Sequence, residues 1–232
     1  MAPLQHSSNA TAGTLAHPAS ESALRHHFAD LDQQRESSTL GMWVFLITEI
    51  MFFGGMFTAY LIYRVGHPAA FEAASEHMLF WAGAINTAVL ICSSLMIVFA
   101  VHAVQTGQRK AVAWFLLAAI LLGVVFLGIK GYEYHGHWVA HKVPGRSFVF
   151  NGSDPQAAQL FFGLYFLMTG LHALHMVIGI ALVAVVAFFA WQGRYTPEYH
   201  NPVENVGLYW HFVDIIWIFL FPLLYLISHK HG

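Results

Sequence analysis

Residues 158–191 read AQLFFGLYFLMTGLHALHMVIGIALVAVVAFFAW, without a single Asp, Glu, Lys or Arg. A helix that crosses a bilayer needs about 20 mostly apolar residues. In hydrocarbon every backbone N–H and C=O must be satisfied within the segment, so an apolar run of this length is a helix. Four further stretches meet the same test, at about 40–63, 78–104, 111–132 and 206–227. Turn-forming residues separate them: Gly66, His67 and Pro68, then Gln105 to Lys110, then Pro144 to Pro155, then Gly193 to Pro202. The expected fold is therefore all-α, a polytopic membrane bundle of five transmembrane helices. Residues 39–232 form the membrane domain and residues 1–38, rich in Ser, Ala and His, are read as a flexible polar tail.

The composition points to the same solvent. Of the 232 residues 57% are hydrophobic and 9% are Asp, Glu, Lys or Arg, against roughly 25% charged in an average soluble domain. A net charge of −2 offers no basic surface for nucleic acid. Cys92 is the only cysteine, which rules out an internal disulfide and any site that needs two thiolates. The tail histidines, His6, His17, His26 and His27, lack a regular ligand spacing. Tyr60, Tyr63, Trp81, Trp114, Tyr132, Trp138, Trp191 and Tyr209 fall near span ends, where an interfacial aromatic belt is expected. Basic residues do not orient the chain. Arg25, Arg35, Arg109, Lys110 and Arg194 fall on the side of the tail, and Arg64, Lys130, Lys142, Arg146 and Lys230 on the other.

Ionisable residues within a span are costly and mark candidate sites. The first span holds Glu49, in Trp43-Val-Phe-Leu-Ile-Thr-Glu-Ile-Met-Phe-Phe-Gly-Gly. Its carboxyl is expected to face protein or a bound lipid and to be largely protonated. It serves either to pin this helix to a neighbour or to relay protons. The fourth span holds His172 and His175, which share a face with Gly179. Interhelical hydrogen bonding is preferred there to metal or haem ligation, because a shared metal needs carboxylate or thiolate partners nearby. In the fifth span His211 and Asp214 are three residues apart, so His211, or a histidine of the fourth span, is the expected hydrogen-bond partner of a buried Asp214. Pro222 frees the Ile218 carbonyl and should kink this helix. Lys130 and Glu133 come at the end of the third span and read as a lipid-facing or subunit-facing ion pair, with Lys130 snorkelling to the headgroups.

Several motifs together resemble one family, subunit III of the haem-copper cytochrome c and quinol oxidases, in its short five-helix form. The Trp43 to Tyr60 run looks like that family's acidic helix. Ile85-Asn-Thr-Ala-Val-Leu-Ile-Cys-Ser-Ser with Ala100-Val-His-Ala, and Gly128-Ile-Lys-Gly-Tyr-Glu-Tyr, resemble the next two. Thr169-Gly-Leu-His-Ala-Leu-His-Met-Val-Ile-Gly and Tyr209-Trp-His-Phe-Val-Asp-Ile-Ile-Trp-Ile-Phe match its most recognisable signatures. The resemblance covers Leu40 to Ile227 in order. It implies an accessory subunit, itself without haem or copper, in a proton-pumping terminal oxidase. Such a subunit packs on the flank of subunit I, touches subunit II and other subunits less, holds phospholipid, supports proton uptake and protects the active site during turnover. It also implies residence in a bacterial inner membrane, with the N-terminus cytoplasmic and the C-terminus periplasmic. The longest members have seven spans, so the lipid cleft built by their first pair is not expected within this chain alone. Phe52, Phe53, Gly54, Gly55 and Phe57 are the candidate surface for subunit I.

Two other classes compete: a small membrane cytochrome that exchanges electrons with quinone, and a proton-coupled transporter built on Glu49, His172, His175 and Asp214. Within the family, a quinol oxidase or a complex related to nitric oxide reductase is an alternative. The glutamate at position 49 favours cytochrome c as the electron donor.

Overall fold

The computed structural model describes residues 31–145, 148–150, 152, 154–197 and 199–226. They form six helices: α1 Leu31–Gly66, α2 Pro68–Ser75, α3 Phe80–Gln105, α4 Arg109–Val139, α5 Pro155–Trp191 and α6 Asn201–Tyr225. All but α2 are long and apolar enough to cross a membrane. The sequence-based ranges lie inside or close to these helices, but α1 begins at Leu31, within the stretch read as tail, and α4 continues past Tyr132 to Val139. The tail histidines and the end of the chain lie outside the described residues.

The short α2 follows the first break. His67 precedes it and Pro68 opens it, where proline's missing N–H costs nothing. It seats Ala70, Phe71, Ala74 and Ser75 against the bundle, mainly on α5. Helices α3, α5 and α4 share one way of stopping. Each has a residue in the left-handed backbone region just past its end, at Gly107 (φ 74°), Gly193 (φ 73°) and His141 (φ 53°). The amides of Gln108, Arg194 and Lys142 then reach back to the carbonyls of Ala103, Phe189 and His137. This is the Schellman closure, which glycine makes without strain and His141 does not.

Helices α3 to α6 pack as a ring, α3 on α4, α4 on α5, α5 on α6 and α6 on α3. Helix α6 is the most buried of the five and α1 the least, the latter lying against α5 and α6 only along part of its length. Aromatic residues of α6 fill the middle. The Trp210 ring lies where glycine makes room, since a Cβ on Gly123 would come within 2.9 Å of it and one on Gly179 within 3.3 Å. Its Nε1 donates to Ser93 Oγ at 3.1 Å, and Trp217 Nε1 donates to Thr87 Oγ1 at the same distance, so two indoles dock α6 on α3. Membrane helices associate through such small residues and hydrogen bonds, because hydrocarbon supplies no hydrophobic drive between them. The tyrosines assigned to the interfacial belt divide. Tyr63 and Tyr132 face outward, as do the tryptophans 81, 114, 138 and 191, whereas Tyr60 and Tyr209 are buried. Tyr60 donates to the Leu223 carbonyl at 2.9 Å, beside Pro222, through which α6 runs on without a break.

Candidate functional site

Polar groups inside the bundle gather in three places. The largest group corrects the placing of Lys130 and Glu133 at a lipid-facing helix end. Because α4 runs on to Val139, both side chains lie on its inner face and are buried, 3% and 2% exposed. The Lys130 ammonium is 2.9 Å from Glu133 Oε2, 3.1 Å from the Tyr165 hydroxyl and 2.8 Å from the Tyr225 hydroxyl. Those three contacts use all its protons. The two hydroxyls in turn donate to Glu133 Oε1, at 2.9 and 2.6 Å. The Trp217 ring lies 5.1 Å from Nζ and adds a cation–π contact. His137 shares this face, with Nε2 3.9 Å from Glu133 Oε1. Helices α4, α5 and α6 thus meet in a closed ring of donors and acceptors that leaves no open position for a substrate. Spacing on α4 carries the signal, since 130, 133 and 137 fall on one face; Tyr165 and Tyr225 have no such signal.

The second place joins α1 to α5. Glu49 Oε2 lies 3.3 Å from His175 Nε2, with the two side chains 18% and 13% exposed. The two groups are in contact but do not meet hydrogen-bond geometry, and Oε2 has no other partner. His175 Nδ1 lies 2.8 Å from the Leu171 carbonyl, one turn back, which fixes the ring. His172 does not join this pair. It is fully buried between Phe126 and Trp217, with ring centroids 5.4 and 5.3 Å away, and neither of its nitrogens has a hydrogen-bond partner. The two histidines of one motif thus serve different neighbours.

The third place corrects the pairing of Asp214 with His211. His211 turns to α3, where its Nδ1 lies 2.5 Å from Ser94 Oγ. Asp214 is 4% exposed; its carboxyl faces the same Ser94 hydroxyl, but neither oxygen reaches hydrogen-bond geometry. At a spacing of three the two side chains do not bond each other, because a seam between two helices draws His211 sideways while Asp214 points inward. Among the described residues no three of His, Cys, Asp and Glu converge to hold a metal ion. Outside the spans, burial pushes the Tyr195 hydroxyl up to about 12, so it stays protonated at neutral pH.

The family model for cytochrome c oxidase subunit III matches residues 19–229. This chain belongs to that family. It is 37% identical to cytochrome c oxidase subunit 3 of Thermostichus vulcanus over 196 residues, covering 82% of this chain and 87% of the relative. For the same subunit of Corynebacterium diphtheriae the identity is 34% over 194 residues, with 82% and 88% covered. For that of Arabidopsis thaliana it is 30% over 194 residues, with 80% of this chain and 66% of the relative covered. The resemblance read from the motifs is borne out: the chain is an accessory subunit III of a terminal oxidase, a membrane component of the respiratory chain in a complex with other subunits.

In this subunit III the outer face of α1 is not uniform. Phe52 is exposed, and a Cβ on Gly54 or Gly55 would meet nothing within 4 Å. Phe57 is partly buried. Phe53 corrects the proposed surface, because it is 1% exposed and packs edge-on to His175 at 5.4 Å. It supports the Glu49–His175 contact from within.

Proposed function

We propose that this subunit III binds no haem or copper of its own and works through its neighbours. It buttresses subunit I, holds phospholipid at that contact, and sustains proton uptake while oxygen is reduced elsewhere in the complex. The observation that carries this reading is the separation of the buried and half-buried histidines of α4, α5 and α6, with His137 beside Glu133. His172 lies in an aromatic layer, His175 faces Glu49 and His211 faces Ser94. A small membrane cytochrome needs histidines that face one another across helices, and these do not.

The Glu49–His175 pair, 18% and 13% exposed, is the group best suited to act in proton traffic, because it sets an acid against an imidazole where the loosely packed α1 meets α5. The Lys130–Glu133 ring is closed and serves structure. We also propose a bacterial inner membrane, with the N-terminus in the cytoplasm and cytochrome c as the electron donor. Burial of Lys130 supports this orientation. Removing it from the count leaves Arg25, Arg35, Arg109, Lys110 and Arg194 on the tail side against Arg64, Lys142, Arg146 and Lys230. The test is purification of the complex through a tag on this chain. Co-purifying haem- and copper-bearing polypeptides are expected, with all haem absorbance remaining on them when this chain is stripped away. Haem that travels with the stripped chain overturns the proposal.

A further inference from the structure

Among the imidazoles within the spans, His211 is one that is only partly covered. One nitrogen, Nδ1, is held by Ser94 at 2.5 Å. No described residue hydrogen-bonds the other, Nε2, and it is not fully buried. Around it, along the α3–α6 seam, the surface is apolar and exposed: Ile91 54% and Leu95 47% on α3, Ile215 50% and Ile218 45% on α6. An imidazole edge thus sits in the middle of an apolar patch.

Depth decides what can cover it. Ser94, which holds the ring, lies 14 residues from the start of α3 at Phe80 and 11 from its end at Gln105, about 21 and 17 Å at 1.5 Å per residue. The hydrocarbon core is about 30 Å thick, so the ring is near mid-membrane. Acyl chains offer no hydrogen-bonding group there, and phospholipid headgroups are too far away to reach it. A ring nitrogen left against hydrocarbon forgoes a hydrogen bond that is expensive to lose. A neighbouring helix satisfies it, and apolar lips around a polar centre are how well-packed contacts exclude competing partners.

We infer that the α3–α6 seam around His211 is covered, in the assembled oxidase, by a transmembrane helix of a partner subunit that offers a hydrogen-bonding group at mid-membrane depth. This rests on the subunit reading above, and it places a contact on the α3–α6 face, away from the outer face of α1.

The test places the photo-cross-linking residue p-benzoylphenylalanine at Ile215 and, separately, at Phe52 of α1, in the full chain within the intact complex. Irradiation at Ile215 is expected to join this chain to an oxidase polypeptide. An intact complex in which Ile215 captures only lipid, or a second copy of this chain, overturns the inference while the subunit reading stands. If no oxidase polypeptide co-purifies at all, both fall. The hydrogen bond is tested by retention of the partner through detergent washing. His211→Leu should weaken retention about threefold or more. His211→Asn, which still offers a donor and an acceptor, should weaken it far less. Ser94→Ala removes only the contact within this chain and should leave retention near wild type. A loss with Ser94→Ala as large as with His211→Leu assigns the effect to internal packing and overturns the inference, and so does equal retention by His211→Leu and wild type.

Discussion

Lys130 and Glu133 form a buried ion pair at 2.9 Å in which the ammonium is also held by two tyrosine hydroxyls that donate onward to the same carboxylate. The arrangement is asymmetric. Without Lys130, the carboxylate keeps both hydroxyls as donors. Without Glu133, the ammonium keeps two neutral acceptors and no counter-charge. Breaking a buried pair from one side costs about 3–5 kcal/mol, whereas replacing both partners with apolar groups is often close to neutral. Glu133→Leu should therefore destabilise the chain by about that much and Lys130→Met by less. The double variant should recover part of the loss. Denaturation of the purified complex, followed by helical signal or by release of this chain, measures the order. A double variant as unstable as the sum of the singles would mean that the charges are solvated separately.

For Asp214, the sequence alone predicts that Asp214→Leu strands an imidazole, because His211 is the near neighbour along the helix. The geometry reverses the expectation. His211 is bonded to Ser94 and the Asp214 carboxyl has no hydrogen-bond partner. Asp214→Leu should leave stability within about 1 kcal/mol of wild type, or raise it, because it removes an unsatisfied buried carboxyl, whereas Asp214→Asn leaves a buried amide in its place and should gain less. Ser94→Ala removes the partner of His211 and should cost about 1–3 kcal/mol. If Asp214→Leu proves the more damaging of the two, the carboxyl has a partner outside this chain.

Glycines give a prediction of opposite signs. A Cβ on Gly123 would lie 2.9 Å from Trp210 and 3.3 Å from Ile180, two groups packed in the centre of the bundle. Gly123→Ala should cost about 1–3 kcal/mol through overpacking. Gly128, just over one turn further along α4, meets nothing within 4 Å, and Gly128→Ala should gain up to about 1 kcal/mol through helix propensity. Thermal release of this chain from the complex reads both. Equal effects would show that the Trp210 ring moves aside freely.

The α4 comparison also marks what a single sequence discloses. Five apolar spans, and the motifs on them, are legible because bilayer thickness and backbone hydrogen bonding leave few alternatives. Glu49, His172, His175, His211 and Asp214 stand out because ionisable groups are rare in such spans. Their partners do not. Tyr165 and Tyr225 lie 35 and 95 residues from Lys130, and Ser94 lies 117 residues from His211. Only packing brings them together. Lys130 was misplaced for a definite reason: hydropathy ends a span at the first charges, and α4 carries its charges inward and continues to Val139. Phe53, likewise, is told from Phe52 only by the direction in which α1 presents each ring.

Glu49 and His175 bear most directly on turnover. The pair holds α1, the most loosely packed of the five spans, against α5. Glu49→Gln keeps the shape and the carbonyl but cannot take up or release a proton, so assembly should survive. His175→Leu removes the ring that Phe53 supports and should loosen α1 further. If the proposed role in proton uptake is correct, complexes with Glu49→Gln should have normal haem spectra and a normal initial rate, and should lose activity faster than wild type over sustained turnover. Complexes stripped of this chain should show the same decay more strongly, because both the pair and the supporting surface are then gone. Oxygen consumption followed over many turnovers, with haem absorbance recorded at the start and the end, separates the possibilities. Full activity through prolonged turnover in the stripped complex would remove the protective role. Immediate loss of haem absorbance would instead assign this chain to assembly of the redox core. Decay in the stripped complex but not in Glu49→Gln would place the effect in the contact surface and leave the carboxyl with a purely structural part.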